Sequence, residues 1–553
     1  MQTNTDSGHN WFSRRQNKER RMSDLSHLVD GSIIPTENIV AAMEQLIQPG
    51  DKVVLEGNNQ KQADFLSRSL AKVSPDKINN LHMIMPSISR SEHLDLFEMG
   101  IARKLDFSFS GPQSLRIGQL MEDGLLEVGA IHTYIELYAR LYVDLNPNIA
   151  LLAGFKADRL GNIYTGPSTE DTPALVEAAA FRDGIVIFQV NEIVDDVSDL
   201  PRVDIPASWV DYIVLADQPF FIEPLFTRDP RLITPLQVLM GMMAIKGIYA
   251  KHQVQSLNHG IGFNTAAIEL LLPTYGESLG LKGKICRHWT LNPHPTLIPA
   301  IETGWVESVH CFGTELGMED YIANRPDVFF TGKDGSMRSN RAFCQLAGQY
   351  AVDMFIGSTL QVDGDGNSST VTRGRLAGFG GAPNMGHDPG GRRHSSPAWL
   401  DMKPDDSLLS KGRKLVVQMV ETYQDSNKST FVEELDALAM ARDYKMPLAP
   451  VMIYASDVTH VLTEEGIAYV YKAESLEQRR AMIAAVAGVT PLGLSQNPEV
   501  TAQLRRDGLV AYPEDLGIRR SDASRDLLAA SSISDLETWS NGLYKPPAKF
   551  RSW

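Results

Sequence analysis

Residues 51–60 read DKVVLEGNNQ, a short β-branched run that stops on a glycine and three amides. Behind this turn, residues 63–71 place Phe65, Leu66 and Leu70 on one helical face, and residues 80–85 form a second apolar run that stops at Pro86. Strand, glycine turn, helix, strand is the signature of a parallel βαβ unit. The order recurs downstream. Residues 149–154 predict a buried strand, and Thr172 and Pro173 supply an N-cap and first-turn signal for a helix over 174–181. Asp183-Gly184 ends that helix, and residues 185–190 make the next strand. The same grammar restarts with a strand over 254–257, the turn NHGIG at 258–262, a helix over 263–272 and a strand over 284–290. The expected fold is α/β, with two tandem parallel-sheet domains and flanking helices, at 31–235 and 236–510. Residues 1–30 read as a polar arm carrying Arg14, Arg15, Lys18, Arg20 and Arg21. Residues 511–553 read as a polar tail, extended over a neighbour or disordered.

Composition narrows the function classes. The chain has 553 residues, with 52 Lys and Arg against 68 Asp and Glu, for a formal net charge of −16. A generalist binder of nucleic acid or anionic membrane is basic, so neither is expected as a partner. No run approaches the ~18 uncharged apolar residues of a membrane span, and the N-terminus lacks the apolar centre of a signal peptide. Cys286, Cys311 and Cys344 form no C-x-x-C pair, which suits small buried hydrophobes in a reducing compartment. A cytoplasmic protein without a metal site is expected. The segment DGDGN at 363–367 opens like a calcium loop, but Ser368 stands at the glycine position and Gly374 where the bidentate Glu belongs. It reads as a hairpin turn.

Two glycine turns carry chemistry. Gly260-Ile261-Gly262 lies between a strand and a helix, where backbone N–H groups are unpaired and the helix dipole favours negative charge. The run Gly378-Phe379-Gly380-Gly381-Ala382-Pro383-Asn384-Met385-Gly386 is denser in glycine than a turn requires. Backbone without Cβ atoms approaches a ligand closely and can aim several amides at a developing oxyanion, as attack on a thioester needs. A flexible surface turn is the plain alternative. Beyond it, Arg392-Arg393 is suited to a diphosphate, or to solvent.

At these residues a resemblance becomes specific. AGFKADRLGNI at 153–163 resembles the A-D-x-x-G-N signature of coenzyme A transferase first halves, NHGIG at 258–262 the turn opening their second halves, and GFGG at 378–381 their G-x-G-G loop. TLNPHPTLIPAIE at 290–302, VHCFGTELGM at 309–318 and GRLAGFGGAPNMGH at 374–387 extend the likeness, so that nearly the whole chain is similar to the malonate decarboxylase α-subunit family. The resemblance implies two tandem coenzyme A transferase-like domains and exchange of acetate for malonate on an acyl carrier protein. The carrier subunit of that family bears a phosphoribosyl-dephospho-CoA-derived thiol arm, so this chain would hold no covalent cofactor and would bind CoA or its analogues. Decarboxylase subunits would complete a hetero-oligomer. The rivals are a transferase for free CoA esters or a citrate-type carrier, and a non-catalytic assembly subunit.

Covalent coenzyme A transferases place a glutamate nucleophile just after the second strand of the second half. Here the matching loop is LNPHP at 291–295, without a carboxylate; Glu277, which mimics the motif from the end of the preceding helix, is left as the alternative nucleophile of a covalent route. Without a carboxylate nucleophile, the remaining route resembles that of the related citrate lyase α subunits: malonate would attack the acetyl thioester directly, with backbone donors from Gly260–Gly262 and Gly380–Ala382. Asn292 and His294 would bond the acyl group or a malonate carboxylate, or else hold the Pro293/Pro295 loop in shape. Ile261, Ala382, Asn384, Arg392 and Arg393 are the expected contacts of substrate and arm. An acidic carrier would dock on Arg14–Arg21 or on Arg392-Arg393.

Overall fold

Buried strands joined by helices pair in parallel, because the crossover helices cover both faces of the sheet. The computed structural model describes residues 7–58, 60–333, 337, 339–388, 408–409, 412–424 and 427–550. It contains two such sheets. In the first, Ile33–Ile34, Tyr212–Leu215, Ile185–Val194, Ile149–Asp158, Lys52–Leu55, Leu81–Ser87, Ala102–Phe109 and Glu127–Ile131 lie side by side in that order, all parallel. Ile163–Tyr164 pairs antiparallel with the far end of Ile149–Asp158. The chain runs outward from Lys52–Leu55 and returns on its other side at Ile149, so the strand order reverses between these two neighbours.

Side-chain alternation then builds two cores. Val54, Ile84, Ala150, Leu152, Val186 and Phe188 pack with the helix Thr172–Ala180 on one face, and Val53, Leu55, Met83, Met85, Leu151 and Ile187 pack with the helix Asp64–Leu70 on the other.

The second sheet repeats the plan. Ser308–His310, His288–Thr290, Ser256–His259, Met354–Gly357, Leu415–Met419 and His460–Leu462 are parallel neighbours, and Ile467–Ala468 and Val510–Ala511 close the edge antiparallel. Its order reverses between Ser256–His259 and Met354–Gly357. In open α/β sheets, ligands sit outside the carboxyl ends of the strands at such a reversal.

Several expectations shift. The strand foreseen to stop at Pro86 continues to Ser87; Pro86 lies past the last residue paired with Lys52–Leu55, so its missing N–H removes no bond on that side. The strand foreseen over 254–257 runs over Ser256–His259, and that over 284–290 shortens to His288–Thr290, with Cys286 left-handed at φ +59°. The DGDGN segment is a turn: the Asp363 carboxylate accepts from the backbone N–H groups of Asp365, Gly366 and Asn367.

Both ends of the chain correct the sequence reading. The basic arm is the helix Ser7–Ser23, docked on the first sheet's layer. Arg21 grips Asp51 through two bonds, 2.6 and 3.2 Å, with both side chains buried; Lys18 reaches Asp211 at 2.7 Å, and Arg14 bonds the carbonyls of Asn146 and Pro147. These three charges are committed within the chain, which leaves Arg15, itself paired with Asp183, and Arg20 as the exposed cations of the arm. The tail is neither extended nor structureless over its described part: the helix Ile533–Trp539 seats Ile533 and Leu536, with Tyr544 beyond it, in the second core. Among the described residues, no helix is long and apolar enough to cross a membrane.

Candidate active site

The reversal points of the two sheets face one another, and their loops enclose a cavity of about 260 Å³. The first half contributes Asn58 and Gln60 after Lys52–Leu55, Ser87 and Phe109 at strand ends, and Tyr134 beyond Glu127–Ile131. The second contributes His259 at the end of its strand, Gly260 and Ile261 after it, Leu291, Asn292 and His294 after His288–Thr290, and Gly357 and Ser358. The loop 377–382 closes the wall.

That loop is fixed to the opposite half. Phe379 and Gly380 donate their N–H groups to the Ser108 carbonyl at 2.6 and 2.8 Å, Ser110 donates to the Ala377 carbonyl, and Tyr134 donates to the Gly380 carbonyl. Gly378 has φ +73°, and a Cβ there would lie 2.5 Å from the Ser108 oxygen, so glycine alone permits this approach.

The backbone donors foreseen from the sequence divide into used and unused. The N–H groups of Gly260, Gly380 and Ala382 are spent on Ile356, Ser108 and Phe379 carbonyls, which removes them from the proposed donor set. Those of Ile261, Gly262 and Gly381 have no partner among the described residues, and Ile261 and Gly381 line the cavity. Gly262 lies outside the lining, at the start of the helix Phe263–Leu271. Asn384 also lies behind the wall, bonded to Thr133 and to the Gln345 carbonyl. Arg392 and Arg393 fall outside the described residues.

Behind the His294 loop sits Glu269, fully buried. His259 and His294 donate from Nδ1 to its Oε1 at 2.9 and 3.0 Å, and the Thr296 hydroxyl donates to Oε2. Burial opposes charge on this carboxyl, but the two imidazoles and their hydrogen bonds outweigh it and hold its pKa down to about 2. An ionised carboxylate only accepts, so both Nδ1 atoms carry protons and Nε2 of His294 is turned away from Glu269. Nε2 of His259 meets the Tyr249 hydroxyl at 2.9 Å, and burial lowers the pKa of this imidazole. Phe226 stacks on His294 at 5.5 Å, its backbone and that of Thr227 anchored by the buried Glu315 carboxylate.

A second network, missed by the sequence reading, lies at the junction of the halves. Arg341 pairs with Glu170 and, at 2.9 Å, with Asp171; its guanidinium lies 4.6 Å over the Tyr134 ring. Asn58 donates to both carboxylates, and Tyr138 to Asp171. Burial works against the Arg341 charge, but Asp171 and Glu170 overcome it and keep the group protonated. Its partners are distant in sequence, so no local motif marks it. Among the described residues, the cavity wall holds no Asp or Glu. Glu277 is exposed and outside the lining, which removes it as a nucleophile.

This geometry suits binding an acyl group between backbone donors and neutral amides. The family model described as "malonate decarboxylase, alpha subunit, transporter" matches residues 10–553. An acetyl-S-ACP:malonate ACP transferase of Malonomonas rubra is 56% identical over 98% of this chain and 99% of its own length. A chain of a Pseudomonas malonate decarboxylase hetero-tetramer, crystallised with malonate, is 78% identical, with a TM-score of 0.95 over 98% of this chain and 99% of that one. An acyl-CoA transferase of Escherichia coli O157:H7 shares only the fold, at 15% identity and a TM-score of 0.52 over 80% of this chain and 89% of that one. The two interlocked α/β sheets are thus a coenzyme A transferase-like fold, and the chain belongs to the malonate decarboxylase α-subunit family.

Proposed function

We infer that this chain is an acetyl-S-ACP:malonate ACP transferase: it moves an acyl carrier's thiol from acetate to malonate, giving malonyl-S-carrier and acetate. The observation that supports the mechanism is a cavity wall without Asp or Glu among the described residues. With no carboxylate among the described lining residues to form an acyl-enzyme, the substrate carboxylate is the nucleophile. A malonate oxygen attacks the acetyl carbonyl, and the C–S bond breaks to give an acetyl–malonyl anhydride and the carrier thiolate. The thiolate then attacks the malonyl carbonyl and expels acetate, which keeps the malonate oxygen. Each attack passes through a tetrahedral oxyanion, for which the unpaired N–H groups of Ile261 and Gly381 are the available backbone donors. Asn292, whose amide has no hydrogen-bond partner in the described chain, is a ligand for the acyl or carboxylate oxygen.

The carrier's dephospho-CoA-type arm has a route. A second cavity of about 230 Å³ shares Phe379 and Met452 with the first and opens beside Leu448, Tyr454 and His387. An arm threaded past Phe379 would bring its thioester to Gly381, and Arg392-Arg393, a few residues beyond His387 in sequence, would meet its diphosphate. The other subunits of a decarboxylase assembly would take the malonyl carrier onward. The test is to mix the purified chain with acetyl-dephospho-CoA and malonate and follow thioesters by mass spectrometry. Malonyl-dephospho-CoA is expected; no product with either this mimic or the acetylated carrier would leave an assembly role.

A further inference from the structure

Malonate differs from acetate by a second carboxylate, and the cavity must receive that charge somewhere. Of the cationic side chains on its wall, Arg341 is already held by Glu170 and Asp171. Besides Asn292, the described wall carries two buried amides with an unpartnered oxygen, Gln60 and Gln345, and Gln60 is held through its Nε2 on the Glu223 carbonyl. Gln345 is 2% exposed, its Oε1 has no partner, and no bond to its Nε2 exists among the described residues. A buried amide left open is costly unless a ligand completes it. Its position is prepared from two sides. The helix Arg341–Tyr350 that bears it is pinned at its start by the Arg341 ion pairs, and a Cβ at Gly381 would lie 2.4 Å from both amide atoms of Gln345. Glycine at 381 therefore opens room for this amide beside the unpaired Gly381 N–H.

Resting on the transferase reading above, we propose that Gln345 is the specificity residue of the site: its NH₂ binds the far carboxylate of malonate while the near carboxylate attacks the thioester. The amide turns freely to present its nitrogen, since neither end is engaged. A neutral donor is suited to a group that must enter as malonate and leave as malonyl thioester. A site built to bond a polar group rejects the analogue that lacks it, because its own buried donor is then stranded.

The test compares acceptors on the full-length chain, with acetyl-dephospho-CoA as thioester donor. Malonate, monomethyl malonate and isotopically labelled acetate are each assayed for kcat/KM on the native chain and on Gln345→Met, which keeps volume and burial. The native chain should prefer malonate to its monomethyl ester by about 10-fold or more, and Gln345→Met should collapse that preference while changing the malonate-to-acetate ratio in the same direction. A preference unchanged in the variant, or all three acceptors falling together, overturns the assignment. If Gln345→Met does not fold, Gln345→Asn replaces it with the same criterion, and a native chain indifferent to the ester overturns the proposal without any variant. No thioester exchange with any acceptor on the native chain would instead remove the transferase reading, and this inference with it.

Discussion

Glu269 acts on the cavity without touching it, by fixing which nitrogen of His294 faces away from the core. Its pKa, held down from 4.5 to about 2, makes it a stabilising group with a defined pH window. The carboxyl is depressed in the folded chain, so its contribution is complete above pH 4.5 and is lost as pH falls from about 4.5 to about 2. Glu269→Gln should therefore flatten the fall of urea-unfolding stability across that window; an unchanged slope would contradict the assigned charge. Asn292 behaves in the opposite way, since its amide bonds nothing in the described chain. Asn292→Ala should leave the melting temperature undiminished and lower exchange by roughly 10- to 100-fold, the worth of one hydrogen bond to a charged oxygen. Normal turnover would remove it from the site. Asn292 and His294 were legible in the sequence because they follow a strand directly. Gln345 was not, because its meaning depends on Gly381, which the fold alone brings alongside.

At the level of elements, the loop that closes the cavity belongs to the second half by sequence and to the first by hydrogen bonding. Gly378 is its hinge of contact, with Phe379 and Gly380 bonded to Ser108. Gly378→Ala would force a left-handed alanine, costing about 1–2 kcal/mol, and drive its Cβ against the Ser108 carbonyl. The loop must then move, and a displacement of about 1 Å at reacting groups lowers rates by roughly 10²-fold. We expect a stability loss of that size in urea with a disproportionate loss of exchange; loss of stability alone would mean that the loop does not position reacting groups. The glycine run was legible as a site for close approach. Which of its N–H groups stay free was not, because Ser108, far upstream, consumes the Gly380 donor and leaves that of Gly381.

Across the whole molecule, the parallel βαβ grammar of both halves was readable because buried strands and capped helices repeat locally. The ends were misread, since a polar composition says nothing about where its charges are spent. Arg21 and Asp51 form a buried pair, and Arg21→Ala should cost about 3–5 kcal/mol by leaving Asp51 uncompensated. Its urea midpoint should fall accordingly, whereas carrier affinity lost at unchanged stability would give Arg21 a docking role instead. Both halves meet over a cavity where, in the direct route, the two substrates react with each other and not with the protein. That route is tested most directly by one turnover of ¹⁸O-labelled malonate with acetyl-dephospho-CoA, enzyme in excess. Direct attack predicts one ¹⁸O in the first acetate released and an unchanged protein mass. Unlabelled acetate, with the label appearing on a side-chain carboxylate of the protein, would show a covalent acyl-enzyme and contradict the account.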